Sequence, residues 1–145
     1  MKLVVQRVKY ASVKVDDKIV GKINQGFMVL VGITHDDTKE NADYLAEKLV
    51  NLRVFDDEND QMNDNLASVN GELLLISQFT LYANTKKGNR PSFIEAARPE
   101  VAKPLYDYFC DKCSSLGYHV EKGIFGADMK VELLNDGPIT IILEK

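Results

Sequence analysis

The sequence predicts a single α/β domain over residues 1–145, with a sheet-rich, partly open barrel-like β body and two helices packed on one side in a layered α/β/β arrangement. Strand-length apolar stretches are numerous, two longer stretches repeat apolar residues at helical spacing, and no linker or internal repeat interrupts the chain. A chain of 145 residues and 16.3 kDa buries about 68–70% of its unfolded surface on folding. That burial is enough for a hydrophobic core.

The first half of the chain predicts four strands and one helix. Alternating or continuous apolar runs, with Asp16-Asp17 as a hairpin turn, place the strands over residues 2–9, 12–15, 18–23 and 26–33. Thr38 can cap the helix that follows, because its hydroxyl can accept from the free N–H groups of the first turn. That helix repeats apolar residues at helical spacing: Ala42, Leu45, Ala46, Leu49 and Leu52.

The second half predicts another helix among shorter strands. A polar, hairpin-like stretch leads to a long strand over residues 72–83. The helix extends from about Glu100 to Ser115 and stops at Gly117, and Pro104 is allowed if it lies in the first turn. Its expected apolar face contains Val101, Leu105, Tyr108, Phe109 and Leu116. The remaining strands are predicted over residues 118–121, 125–134 and 139–144.

Composition and charge exclude several classes of protein. No apolar run approaches the roughly 20 residues that cross a bilayer, and the opening "MKLVVQRVKYASVKV" alternates like a strand rather than forming a signal peptide. These features predict a cytoplasmic protein that does not contact membranes. A net charge of -4 argues against non-specific coating of nucleic acid, which needs a basic face.

The cysteines and histidines give little support for a metal site or a redox centre. Cys110 and Cys113 are spaced as Cys-x-x-Cys, but no second pair of ligands follows at metal-binding spacing. Two reduced thiols on one helix are expected. His35 and His119 have no neighbouring nucleophile in the sequence and are expected at the surface. The sequence therefore predicts no cofactor and no metal.

The stretch "TKKGNRPSF" concentrates positive charge in a loop. Lys86, Lys87 and Arg90 occur there without any acidic residue, beside a glycine and a proline. Such a loop can contact a few phosphates at the end of an RNA, or it can simply be solvated.

Two further stretches interrupt strands. "SQFTL", starting at Ser77, places three polar side chains after the apolar "ELLLI", and burying a polar group without a partner costs about 1–3 kcal/mol. The strand either emerges into solvent here or supplies a site. "NDGPIT" contains Asp136-Gly137, a strong hairpin signal, followed at once by Pro138. This stretch is either a turn whose proline starts an edge strand or a rigid backbone probe.

Together these stretches resemble the D-aminoacyl-tRNA deacylase family, also described as the D-Tyr-tRNA(Tyr) deacylase family. "SQFTL" followed by "NRPSF", and the later "NDGPIT", match its two signature motifs, and "QRV…ASV" and "ADM" match as well. The resemblance implies a homodimeric enzyme that hydrolyses the ester joining a D-amino acid to the 3′-terminal adenosine of tRNA. It also implies cleavage of glycine mischarged on tRNA(Ala).

The resemblance also implies roles for particular residues. Gly137 and Pro138 would enter the active site of the other subunit and reject L-amino acids by steric clash, and Arg7 would hold this element. The catalytic pocket would be formed by Ser77, Gln78, Phe79 and Thr80. Phe125 and Met129 would line the pocket or belong to the core, and contacts to the tRNA would come from Lys86, Lys87 and Arg90.

Hydrolysis of an activated ester needs a positioned water and donors to the developing oxyanion. Gln78, Phe79 and Thr80 can supply these through side chains or backbone, with the 2′-hydroxyl of the substrate as proton shuttle. Thr80 as a nucleophile is the weaker alternative, because no general base adjoins it. Three rival functions remain: a non-catalytic module that binds the tRNA end, an esterase for small molecules, and a relative with a trans Gly-Pro peptide that tolerates some L-amino acids.

Overall fold

Eight β-strands, two α-helices and two short 3₁₀ turns make up the computed structural model, which describes all residues 1–145. The strands are β1 (Lys2–Val15), β2 (Lys18–Ile23), β3 (Gly26–Gly32), β4 (Phe55–Asp56), β5 (Met62–Asp64), β6 (Glu72–Ser77), β7 (Val120–Lys122) and β8 (Lys130–Glu144). The helices are α1 (Lys39–Val50) and α2 (Pro99–Ser115), and the 3₁₀ turns span Ala67–Val69 and Phe79–Tyr82.

Strand β1 organises the main sheet, whose order is β2-β1-β3-β6-β7. One edge of β1 pairs antiparallel with β3 and then β2, while its other edge pairs antiparallel with β8. Strand β6 is parallel to both β3 and β7. The sheet rolls until it is nearly closed into a barrel with both helices on one side, which confirms the predicted fold class.

Strands β3 and β6 are buried on both faces. Phe27 and Val29 of β3 and Leu73 of β6 point towards the helices, whereas Met28 and Leu74 point into the rolled sheet. A strand that is covered on both faces is apolar at every position, which explains the continuous run "GFMVLVGI". Tyr106 and Phe109 of α2 complete the larger core between the sheet and the helices.

Both helices agree closely with the predicted ones. Thr38 precedes α1, and its backbone N–H donates to Asn41 Oδ1 at 2.9 Å. Helix α2 begins at Pro99, so Pro104 lies in the second turn, and the condition of a first-turn position is not met. An exposed proline is tolerated there because water can solvate the carbonyl that loses its helical partner. Two residues expected on the buried face are instead exposed, Val101 and Leu116.

Several predicted strand bounds were wrong. The strands expected over 2–9 and 12–15 form the single strand β1, β8 starts at Lys130 rather than at 125, and the strand expected over 118–121 is β7. Strand β6 ends at Ser77 instead of continuing to 83. Its partner β3 ends at Gly32, and the last ladder hydrogen bond runs from the Gln78 N–H to the Val31 carbonyl at 2.8 Å.

The stretch "NDGPIT" is not a hairpin turn. Strand β8 pairs with β1 on both sides of it, Asn135 with Val8 and Thr140 with Gln6, so the chain continues in the same direction. Residues 136–139 stand opposite Arg7 alone and bulge out of the sheet. We call residues 136–139 the protruding segment. Neither α-helix has the length and hydropathy that a membrane span requires.

Candidate active site

A cavity of about 590 Å³ opens where β6 ends, between the start of α2 and the segment before β8. Its walls are mostly apolar and include Val31, Ile33, Ile76, Phe93, Ala97, Ala102 and Val131. Ligand pockets in proteins are typically about 300–1,000 Å³ and combine apolar walls with a few polar groups. This cavity has both properties, because Ser77 and Gln78 also line it.

Residues 77–80, which we call the polar segment, leave the sheet at one wall of this cavity. Ser77, Gln78 and Phe79 line the cavity, whereas Thr80, which was predicted to line it with them, does not. The Gln78 side-chain amide donates to the Thr80 hydroxyl. The 3₁₀ turn starts with a hydrogen bond from the Leu81 N–H to the Gln78 carbonyl at 3.3 Å. The N–H groups of Phe79 and Thr80 therefore have no acceptor within the turn.

An aromatic contact joins the polar segment to Phe93. Phe79 and Phe93 meet edge to face, with ring centroids 5.2 Å apart and planes inclined by 75°. Phe79 is 56% exposed although it is a large apolar side chain. Phe93 was not among the predicted site residues, although it ends the motif "NRPSF" that carried the resemblance.

Phe125 and Met129 both line the cavity. The Phe125 ring packs against Tyr106 with centroids 5.9 Å apart and contacts the larger core. Met129 packs against the smaller core, and its sulfur lies against Gly123. The two alternatives for these residues are therefore compatible, since each contacts a core on one side and the cavity on the other.

Arg7 and Asn135 brace the protruding segment. The Arg7 guanidinium donates to the Val54 carbonyl at 2.7 Å and to the Asp136 carbonyl at 3.3 Å, and its Nε lies 3.3 Å from the Asp136 carboxylate. Asn135 donates to the carbonyls of Arg7 and Ile139 at 3.0 and 2.9 Å. Arg7 is only 6% exposed, so it is not an ordinary surface arginine.

Gly137 and Pro138 themselves are exposed and do not line the cavity of their own chain. The peptide bond between them is cis. Gly137 has φ of +119°, a conformation that side chains rarely adopt, so glycine is required at this position. The structure thus separates the two signature stretches, with one in the cavity wall and the other on the surface.

The predicted cationic loop lies outside the cavity. Its base is closed by reciprocal backbone hydrogen bonds between Asn84 and Ser92, at 2.8 and 2.9 Å. Lys86, Lys87 and Arg90 are all exposed and absent from the cavity walls. Arg98 does line the cavity, and it was missed because its signal was only a lone cation before the Pro99 that starts α2.

The cysteines and histidines do not approach this site. Burial raises the pKa of the Cys110 and Cys113 thiols to about 12, so both stay protonated. His35 Nε2 lies 2.6 Å from the Ile94 carbonyl, and His119 lies 3.7 and 3.6 Å from the carboxylates of Glu72 and Glu121. No group of three or more potential metal ligands is present.

Comparison with known proteins identifies the family. The model of the family described as D-Tyr-tRNA(Tyr) deacylase matches residues 4–144. A D-aminoacyl-tRNA deacylase of Limosilactobacillus reuteri (strain DSM 20016) is 56% identical over 100% of both chains. Another, of Phocaeicola vulgatus, is 57% identical and covers 99% of this chain and 97% of its own.

Solved structures share the fold. One described as "c-Myc DNA Unwinding Element Binding Protein" superposes with a TM-score of 0.94 at 40% identity, over 100% of this chain and 99% of its own. A "probable eukaryotic D-amino acid tRNA deacylase" superposes with a TM-score of 0.86 at 18% identity, over 98% and 97%. The fold and the cavity define a small α/β domain with a largely apolar pocket. The chain belongs to the D-Tyr-tRNA(Tyr) deacylase family, whose members are hydrolases of aminoacyl-tRNA esters. This confirms the family and the enzyme class that the motifs predicted.

Proposed function

We propose that this protein hydrolyses the ester between a D-amino acid and the 3′-terminal adenosine of tRNA, and the glycyl ester of mischarged tRNA(Ala), while sparing L-aminoacyl esters. The observation that carries the proposal is the pairing of two features. A largely apolar cavity is lined by the polar side chains of Ser77 and Gln78, and a rigidly braced glycine-proline segment is exposed elsewhere on the same chain.

The protruding segment presents backbone atoms, rather than side chains, to a ligand. Gly137 has no side chain, and Pro138 has no N–H to donate. Two braces from Arg7 and two from Asn135 hold the segment against the sheet. A fixed backbone wall excludes an L side chain by steric clash and leaves a D side chain pointing away, so many D-amino acids share one pocket. Glycine has no side chain to exclude, and so it passes.

The protruding segment meets a cavity only if two copies of the chain associate. Gly137 and Pro138 are absent from the lining of their own cavity, so we assign them to the cavity of a second copy. Exposed apolar side chains favour such an association, with Phe79 at the cavity 56% exposed and Ile142 on β8 63% exposed. The proposed enzyme is therefore a homodimer in which each site takes residues from both chains.

The proposed chemistry uses a positioned water. In this mechanism the N–H groups of Phe79 and Thr80, which have no acceptor within the 3₁₀ turn, stabilise the oxyanion that forms on the ester carbonyl, and such a donor is worth about 10²–10³ in rate. The hydrogen bond from the Gln78 amide holds the Thr80 hydroxyl next to Gln78, which lines the cavity. The 2′-hydroxyl of the terminal ribose then relays the proton to the leaving 3′ oxygen. No base adjoins Thr80, so a covalent acyl-threonine is not part of the proposal.

The first experiment measures release of amino acid from D-tyrosyl-tRNA, L-tyrosyl-tRNA and glycyl-tRNA(Ala) by the purified protein, with a chelator present. We expect rapid cleavage of the D-tyrosyl and glycyl esters and none of the L-tyrosyl ester. Cleavage of none of the three would leave a module that binds the tRNA end. Equal cleavage of D-tyrosyl-tRNA and of a free D-tyrosine ethyl ester would indicate a small-molecule esterase.

The second experiment tests whether the site is shared between chains. Gly137→Ala and Thr80→Val variants, each expected to be inactive as a homodimer, are mixed under conditions that exchange subunits. Each heterodimer should contain one intact site. Its polar segment comes from the Gly137→Ala chain, and its protruding segment comes from the Thr80→Val chain. Absence of any regained activity, despite subunit exchange shown with a mass-tagged chain, would contradict the shared site.

A further inference from the structure

Charge is scarce in the walls of the cavity. Only two charged side chains line it, Arg98 and Asp128. Both carboxylate oxygens of Asp128 accept from the Lys130 ammonium at 3.0 Å, so that charge is compensated. Arg98 forms no ion pair and no side-chain hydrogen bond within the chain. The cavity therefore has one uncompensated charge, and that charge is positive.

The backbone that bears Arg98 is fixed on both sides. The Ala97 N–H donates to the Ile33 carbonyl at 2.9 Å, and the Arg98 carbonyl accepts from the N–H groups of Val101 and Ala102 at 3.0 and 2.8 Å. Ala97 is buried, whereas Arg98 is exposed. The guanidinium thus extends from a rigid anchor beside the cavity, with its five donors available.

A 3′-terminal nucleotide of tRNA brings one anion close to the ester that is cut, namely the phosphate on its own 5′ oxygen. A guanidinium binds a phosphate with two parallel hydrogen bonds, and such charge-assisted bonds are about twice as strong as neutral ones. The cations of the loop, Lys86, Lys87 and Arg90, do not line the cavity. We expect these three cations to contact phosphates further along the RNA strand.

We propose that Arg98 binds the phosphate that joins the terminal adenosine to the rest of the tRNA, and so sets how deeply the aminoacyl ester enters the cavity. This inference rests on the proposed function. It makes Arg98 a substrate-binding residue, whose contribution depends on that one phosphate and on no other part of the substrate.

The test uses two short substrates that differ by this group alone, the 3′-D-tyrosyl ester of adenosine and the 3′-D-tyrosyl ester of adenosine 5′-monophosphate. The wild type should hydrolyse the phosphorylated ester with a kcat/KM about 10–100-fold higher, the range expected of a hydrogen bond between charged groups. Arg98→Ala should lower that preference to about one, measured as the ratio of the two kcat/KM values within the variant. Arg98→Lys should restore part of the preference, because an ammonium keeps the charge without the fork.

The matched control is Arg53→Ala, which removes an exposed arginine that does not line the cavity. It should leave the phosphate preference at its wild-type value. Cleavage of D-tyrosyl-tRNA by the wild type tests the proposed function separately. If the wild type cleaves that tRNA and either has no phosphate preference or keeps it in Arg98→Ala, the inference is overturned and the proposed function stands.

Discussion

The polar segment and the protruding segment both interrupt a β-strand, and they end in opposite environments. Strand β6 loses its partner where β3 ends, so the chain after Ser77 turns into a 3₁₀ turn at the cavity wall. Strand β8 keeps β1 as its partner on both sides of the interruption, so the extra residues can only bulge outward. The neighbouring strand therefore decides whether a break in a strand pattern forms a wall or a protrusion.

The largest effect is expected in the polar segment. Thr80→Val removes the hydroxyl that accepts from Gln78 and keeps the volume of the side chain. We expect kcat on D-tyrosyl-tRNA to fall about 10²–10³-fold, as for loss of one positioned hydrogen-bonding group at a reacting carbonyl. Single-turnover kinetics measure the fall, and Thr80→Ser, which keeps the hydroxyl, should recover most of the rate. A Thr80→Val variant with full activity would mean that the backbone N–H groups alone stabilise the oxyanion.

The protruding segment should respond almost as strongly to Gly137→Ala. The new Cβ would lie 3.0 Å from Ile139 Cγ1 and 3.2 Å from an Arg7 nitrogen, at a φ of +119°. We expect the segment to move and activity to fall about 10²-fold, the cost of a misplacement of about 1 Å at an active site. Discrimination between D- and L-tyrosyl-tRNA should fall with it.

The matched control for that variant is Gly117→Ala. Gly117 also has a positive φ, +99°, but a Cβ there would meet nothing within 4 Å. It should lose some stability and keep its activity. Equal losses of activity in the two variants would mean that backbone strain, and not the position of the protruding segment, explains the effect.

Arg7→Ala tests how the protruding segment is attached. Removing the guanidinium leaves the Val54 carbonyl without its 2.7 Å donor, and an unsatisfied buried acceptor costs about 1–3 kcal/mol. Urea unfolding should register that loss, and the activity should fall further than the stability predicts. Arg90→Ala removes an exposed arginine that makes no ion pair and no side-chain hydrogen bond, and it should change the free energy of unfolding by no more than about 0.5 kcal/mol. Similar unfolding curves for the two variants would contradict a bracing role for Arg7.

The aromatic contact of the polar segment should give a small effect. Phe93→Leu keeps an apolar group and removes the edge-to-face contact with Phe79, which is worth about 0.5–1.5 kcal/mol. We expect kcat/KM to fall about 2–10-fold, with Phe93→Tyr close to the wild type. A Phe93→Leu variant that matches the wild type would show that the pair does not hold the wall in place.

The reactivity of the two thiols of α2 should show that the variants in the polar and protruding segments leave the core intact. Because burial raises their pKa to about 12, Cys110 and Cys113 should react slowly with a thiol reagent at pH 8 and quickly in urea, in every variant that keeps its fold.

The stabilisation linked to these protonated thiols is complete below pH 9.0 and is lost as the pH rises towards about 12. Cys110→Ala lacks one of these thiols, so its alkaline unfolding should occur at a higher pH than that of the wild type. The free energy of unfolding that the variant loses through packing is measured at pH 7 and subtracted before the comparison.

The predictions from sequence succeeded where a local rule applies. The cap at Thr38, the stop at Gly117 and the strand "GFMVLVGI" follow from capping geometry, positive φ and continuous apolarity. The hairpin at Asp136-Gly137 and the strand over 72–83 failed. Local signals for a turn or a strand were present in each, but pairing with a distant strand decided the outcome.

The sequence by itself determined the layered α/β/β class, the two helices and, through two short motifs, the family. Only the tertiary structure placed Phe93 and Arg98 at the cavity, buried Arg7 beneath the protruding segment and left Gly137 and Pro138 outside their own cavity. The physical reason is that periodicity, caps and turns depend on residues a few positions apart. A cavity instead depends on where strands stop pairing, and the residues that set this are distant in the chain.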